Sequence, residues 1–153
     1  TPIIFDGDIC AETVLGSIIM FKREDIIKIG LYDENLFLYF LDDELCKRIR
    51  DKKKAVIQVL SAKATHEHGQ IKVKNPIKRT FLRNFNFTFD ELYYFYKIKK
   101  HEKLFNELSN KVPKYFIKLL LNLIILRLNK AVYFLSKILA FYKFKKLLKK
   151  NNI

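Results

Sequence analysis

Three consecutive acids, Asp42, Asp43 and Glu44, end the apolar-aromatic run Leu36-Phe37-Leu38-Tyr39-Phe40-Leu41 and open a segment that turns basic at Lys47, Arg48 and Arg50. A carboxylate at such a junction lies at a cleft edge rather than in a core. It can take the proton of a hydroxyl nucleophile held within hydrogen-bond reach. Acids in a first helical turn also complement the helix dipole and cap its free N–H groups, so capping is the competing role for the same residues. Two further candidates accompany them. Gly16-Ser17 interrupts an apolar stretch, where a missing side chain lets another group approach closely, and His66 opens His66-Glu67-His68-Gly69. Asp33 and Glu34 read as turn residues. Asp6-Gly7-Asp8 after Ile3-Ile4-Phe5 has the form of a strand and metal loop, but so short a motif carries no assignment without its context.

These residues need elements to position them. Residues 13–22, β-branched and apolar, predict a buried strand, and residues 23–29 a short helix with Glu24 and Asp25 in its first turn and Gly30 as its stop. A turn at 32–35, a helix over 42–53, a strand over 55–60 and an extended segment over 64–69 follow. The order strand, helix, helix, strand predicts an α/β layer. Beyond Pro76 the pattern is helical to the end, with a break at Pro113. Two domains are expected, 1–72 and 73–153.

Composition supports that division. The 153 residues are 50% hydrophobic and 14% aromatic, enough for a packed core, and four Gly and three Pro exclude low-complexity and turn-dense all-β classes. Cys10 and Cys46 are too few for a disulfide framework or a four-ligand zinc site, and predict reduced thiols in a cytosolic setting. No secretory leader is expected from the opening Thr-Pro-Ile-Ile. Charge is uneven: residues 1–70 hold ten Lys/Arg and twelve Asp/Glu, whereas residues 71–153 hold twenty and four. A mildly acidic first half suits chemistry, and the basic second half suits an anionic partner.

Residues 14–69 also carry an ordered set of motifs: Gly16-Ser17, then Phe21-Lys22-Arg23-Glu24, then Ile29-Gly30-Leu31-Tyr32-Asp33-Glu34. Leu36-Phe37-Leu38-Tyr39-Phe40-Leu41-Asp42-Asp43-Glu44-Leu45-Cys46-Lys47-Arg48 and His66-Glu67-His68-Gly69 follow. In order and spacing this resembles the C-terminal half of the catalytic domain of family 2 glycosyltransferases, in particular the rhamnosyltransferase-like branch of bacterial surface-polysaccharide pathways. The resemblance implies a partial GT-A-like α/β layer followed by an all-helical, basic extension. It implies inverting transfer from a nucleotide-sugar donor to a saccharide or lipid-linked acceptor, with Asp42 as general base. Gly16, Ser17 and Asp43 would line the substrate pocket. His66 would lie near the donor diphosphate and its Mg2+ or Mn2+ ion, which is held mainly by a donor-binding half carrying an Asp-x-Asp motif. That half precedes these motifs in the family, so the chain is expected to be a C-terminal portion of a transferase, the alternative being an inactive remnant that needs a partner chain for the missing half. Leu41 stands where the family has Glu, and Glu44 where it has Asp. Thr88 to Lys97, with Tyr93-Tyr94 and Lys97, is similar to the family's helical extension, although aromatics at this density also serve packing.

In the basic half, Lys114, Lys118 and Asn122 make one polar stripe among Phe116, Leu119, Leu120, Leu121, Leu123 and Ile124. Over 130–142 an apolar face of Phe134, Leu135, Ile138, Leu139 and Phe141 lies beside Lys130 and Lys137. The longest uncharged stretch there, 119–126, is far short of the ~20 residues a membrane-spanning helix needs. The patterns predict either helices lying at an anionic membrane surface or helices packed on the rest of the protein. A nucleic-acid-binding module is the alternative for the basic residues, but long Leu/Ile runs have no use on a phosphate backbone. The expected location is the cytoplasm, peripheral on the cytoplasmic face of the inner membrane.

Overall fold

A computed structural model describes residues 7–66 and 73–150. The residues group into two units: 1–35 with 40–70, and 36–39 with 71–153. Glu67, His68 and Gly69, and Asp6 of Asp6-Gly7-Asp8, lie outside the described residues.

In the first unit, α1 (Arg23–Ile29) begins with Glu24 and Asp25 and ends where Gly30, at φ 102°, takes the left-handed conformation. Its N–H donates to the Ile26 and Ile27 carbonyls. Helix α2 (Leu41–Asp51) buries Leu45, Cys46 and Ile49, which cluster with Val56 and with the half-buried Val14, Phe21, Ile26 and Ile29. Two strands, β1 (Ile9–Cys10) and β2 (Ile57–Gln58), pair antiparallel with Ile9 opposite Gln58 and Cys10 opposite Ile57. Cys10 is exposed, Cys46 is buried, and both are free.

Among the described residues the expected GT-A-like α/β layer is absent. Helices hold 63% of the described residues, and the only sheet among them is this two-stranded pair. Residues 13–22, read as a buried strand, are irregular, with Leu15, Ile18 and Met20 at 81, 62 and 95% exposure. A buried strand needs hydrogen-bonding neighbours on both edges and cover on both faces. No strand among the described residues supplies either.

The second unit consists of α3 (Pro76–Lys97), α4 (His101–Ile124) and α5 (Leu128–Lys150), together with residues 36–39. Asn75 caps α3, its side-chain oxygen accepting from the Ile77 and Lys78 amides, with Pro76 at the first helical position. Phe89, Leu92, Leu108, Val112, Phe141, Phe144 and Leu148 form the main core. Along α3 the rings of Phe81, Phe85, Phe89 and Tyr93 stack at four-residue steps, and Lys143 lies 4.1 Å over Phe89.

Asp90, wholly buried, accepts from the backbone amides of Phe37, Leu38 and Tyr39 at 3.3, 3.0 and 2.9 Å, fastening that short segment to α3. Helix breaks fall at 98–100 and 125–127 rather than at Pro113, which sits inside α4. There both Pro113 and Ser109, whose carbonyl loses its partner, are exposed, so the missing bond lies on the solvent side of the helix. No helix among the described residues is long and apolar enough to cross a membrane.

Candidate functional site

The acids at the start of α2 do not cap their own helix. Its N-cap is Phe40, held at φ 60° with no side-chain cap bond. An aromatic residue in the left-handed region carries a strain of about 1 kcal/mol. The Asp42 and Asp43 carboxylates reach instead to residues 13–16. Asp42 Oδ2 accepts the Gly16 backbone N–H at 2.7 Å, and Asp43 Oδ1 accepts the Thr13 hydroxyl at 2.9 Å. Both acids are half-buried, while Thr13, Gly16 and Ser17 are exposed.

Gly16 therefore has a different use from the one the sequence suggests. A Cβ built there would stand 1.9 Å from Asp42 Oδ1 and 2.5 Å from its Cγ. The missing side chain admits the Asp42 carboxylate itself. Ser17, next to it in the same turn, stays open to solvent.

Glu44 points inward and is 3% exposed. Arg48 Nε bridges both of its oxygens at 2.8 and 2.9 Å, while the same guanidinium donates from Nη1 to the Ile29 carbonyl at 2.8 Å and from Nη2 to the Leu31 carbonyl. One planar fork thus ties the C-terminal end of α1 to α2 and fixes how α2 presents Asp42. The Tyr32 phenol, just past that tie, has its pKa pushed above 10.0. Partial burial is the main cause, and the Asp42 charge adds to it, because each disfavours a phenolate.

His66 is exposed on the irregular segment beyond β2, and no three His, Cys, Asp or Glu among the described residues are grouped to hold a metal ion. By the family resemblance the Mg2+ or Mn2+ ion belongs mainly to the donor-binding segment, with His66 near it. Of the candidates, the structure brings Gly16 and Asp42 into contact and sets Asp43 beside them. Thr13, Tyr32 and Arg48 are additions. The Glu44–Arg48 spacing of four on a predicted helix was the available signal for Arg48. Thr13 and Tyr32 had none, because their roles depend on how separate segments meet.

A half-buried carboxylate pair, oriented by a backbone amide and a hydroxyl, can accept a proton or hydrogen-bond a polyol. Among known proteins no family model, curated protein or solved structure matches the chain.

Proposed function

We propose that the chain is the acceptor-side portion of an inverting glycosyltransferase acting with a nucleotide-sugar donor, and that Asp42 is its general base. In that role the Asp42 carboxylate takes the proton of an acceptor hydroxyl as the oxygen bonds to the anomeric carbon. The bond from that carbon to the donor phosphate breaks, and the nucleoside diphosphate leaves with the electron pair. A single displacement of this kind inverts the anomeric configuration.

The observation that carries the reading is the Gly16–Asp42 contact. It joins two positions that the family resemblance assigned separately to one site, and it aims the carboxylate away from its own helix amides. Asp43, held by Thr13, stands ready to hydrogen-bond a neighbouring hydroxyl of the acceptor. The donor-binding residues are assigned to another segment of the protein. The basic second unit, with no spanning helix among the described residues, supports a peripheral position on the cytoplasmic face of the inner membrane, where a lipid-linked acceptor would be met.

The test uses source-cell membranes containing the native-length polypeptide, given labelled UDP-glucose, UDP-N-acetylglucosamine, GDP-mannose or dTDP-rhamnose. Transfer to saccharide or lipid is compared for wild type, Asp42→Asn and, as a control, Asp51→Asn. Asp42→Asn is expected to lose at least ~100-fold in rate, the scale of a general base, with Asp51→Asn unchanged. Transfer retained by Asp42→Asn, with melting unaltered, overturns the assignment.

A further inference from the structure

Past Glu107 the sequence carries eleven Lys and Arg residues and no Asp or Glu. In the same region the apolar residues of α4 divide between two faces. Leu108, Val112 and Leu119 are buried, with Tyr115 half-buried between them. Phe116, Ile117, Leu120, Leu121 and Ile124 are 46 to 76% exposed and, at steps of one and four, make one continuous face of the helix.

That face runs on into the turn between α4 and α5, where Ile125, Leu126 and Leu128 are exposed, Leu126 at 81%. The turn is well defined: Leu126 is left-handed at φ 54°, and the Arg127 amide donates back to the Asn122 carbonyl at 2.8 Å. Helix α5 adds little to this surface. Of the apolar face foreseen over 130–142, Ile138 and Phe141 are buried, Phe134 and Leu135 pack on the cluster that holds Ile138, and Leu139 is exposed. Lys114, Lys118, Arg127 and Lys130 are all exposed around the apolar face.

We propose that residues 116–128 dock on an anionic lipid bilayer. The α4–α5 turn sits at the boundary of headgroups and acyl chains, and Lys114, Lys118, Arg127 and Lys130 meet lipid phosphates. Charge complementarity selects this occupant. A second copy of the chain would set this cationic surface against an equally cationic one, with no carboxylate past Glu107 to pair with it. A nucleic acid would use the cations and leave the Ile and Leu side chains in water. An anionic bilayer satisfies both sets at once. The inference rests on the membrane-peripheral part of the proposed function and is independent of glycosyl transfer.

The experiment is co-sedimentation of the full chain with vesicles of phosphatidylglycerol and phosphatidylcholine in equal parts, and with phosphatidylcholine alone. Wild type is compared with the combined variant Leu121→Ser/Ile124→Ser/Leu126→Ser and with Lys114→Gln/Arg127→Gln/Lys130→Gln. Every altered side chain is exposed, and circular dichroism checks that helicity is kept. The expected result is binding to the anionic vesicles that weakens at least ~10-fold in either variant, with little binding to the neutral ones. Anionic-vesicle binding that survives the serine variant overturns the docking surface and leaves the peripheral location standing. No vesicle binding by wild type overturns both, while the transfer assay still decides the role of Asp42. A dimer in light scattering that the serine variant dissociates, without vesicle binding, overturns the proposal in favour of a second copy. RNA binding lost in both variants, again without vesicle binding, overturns it in favour of nucleic acid.

Discussion

The backbone N–H of Gly16 donates to Asp42 Oδ2 at 2.7 Å, and the carboxylate of Asp42 fills the space where a Gly16 side chain would begin. The two residues are far apart in sequence, and each is shaped for the other. Gly16→Ala consequently separates stability from site geometry. The new Cβ drives the Asp42 carboxylate aside and breaks an amide–carboxylate bond, which costs about 1 kcal/mol in so exposed a setting. The lost glycine freedom of the unfolded chain offsets this by about 0.4–1 kcal/mol. Urea denaturation is expected to place Gly16→Ala within ~1 kcal/mol of wild type. The Gly16 amide proton, followed by NMR, loses the shift that marks its bond to a carboxylate. An unchanged Gly16-site amide signal in the alanine variant would falsify the contact.

Tyr32 offers a readout of the Asp42 charge. Its pKa is raised above 10.0 by burial and, to a smaller extent, by Asp42. A folded-state value raised in this way means that the neutral phenol stabilises the fold at pH below about 10, and that this contribution is lost as pH rises through the raised value. Asp42→Asn removes the smaller cause and leaves the larger. The Tyr32 ring signal, followed by NMR through an alkaline titration, should move at lower pH in Asp42→Asn than in wild type, while staying above 10.0. Identical titration curves would place the Asp42 charge out of reach of Tyr32.

Arg48 tests whether shape or charge holds α1 to α2. Its fork meets both Glu44 oxygens and two backbone carbonyls together, a geometry that a lysine ammonium cannot reproduce. Arg48→Lys is expected to cost about 2 kcal/mol. Arg48→Met, which takes the guanidinium away from the buried Glu44 charge, should cost about 3 kcal/mol or more. Adding Glu44→Gln to Arg48→Met should recover part of the loss, since the buried charge goes with it. Denaturation midpoints give the ranking, and equal losses for Lys and Met would assign the effect to packing of the stem.

What the sequence revealed of this protein follows the range of the forces involved. Helix α1 and its stop at Gly30, the acid-first start of α2 and the helical second half are written in neighbouring residues, and they appear close to where the patterns put them. The α/β layer was inferred from Val, Ile and Leu at 13–22 and 55–60. Yet an apolar run becomes a strand only when another strand pairs with it, and over 13–22 none among the described residues does. The site shows the same division. Asp42, Asp43 and Gly16 were visible as residue types. That Gly16 makes room for Asp42, and that Glu44 turns away to Arg48, depends on contacts between segments that no local pattern encodes. Pro113 erred in the other direction, a strong local signal overridden because its side of α4 faces water.

Asp90 carries the last prediction. Fully buried on α3, it accepts from three successive amides, Phe37 on Oδ1 and Leu38 and Tyr39 on Oδ2. Asparagine is close in volume but presents one oxygen and one NH2 group. Whichever way its amide is turned, the NH2 faces at least one backbone N–H, and donor meets donor. Asp90→Asn therefore breaks one or two charge-assisted bonds and sets donor against donor at the buried Asp90 position, at about 3 kcal/mol. Asp90→Ala should cost about the same, since it loses every bond but creates no opposed donors. Hydrogen exchange supplies the check: the Leu38 and Tyr39 amides, protected in wild type, should exchange at least ~10-fold faster in both variants, in step with a loss exceeding 1.4 kcal/mol. Protection that persists in Asp90→Asn would mean that residues 36–39 are held by the burial of Leu36 and the edge-on contact of Tyr39 with Phe87 rather than by the carboxylate.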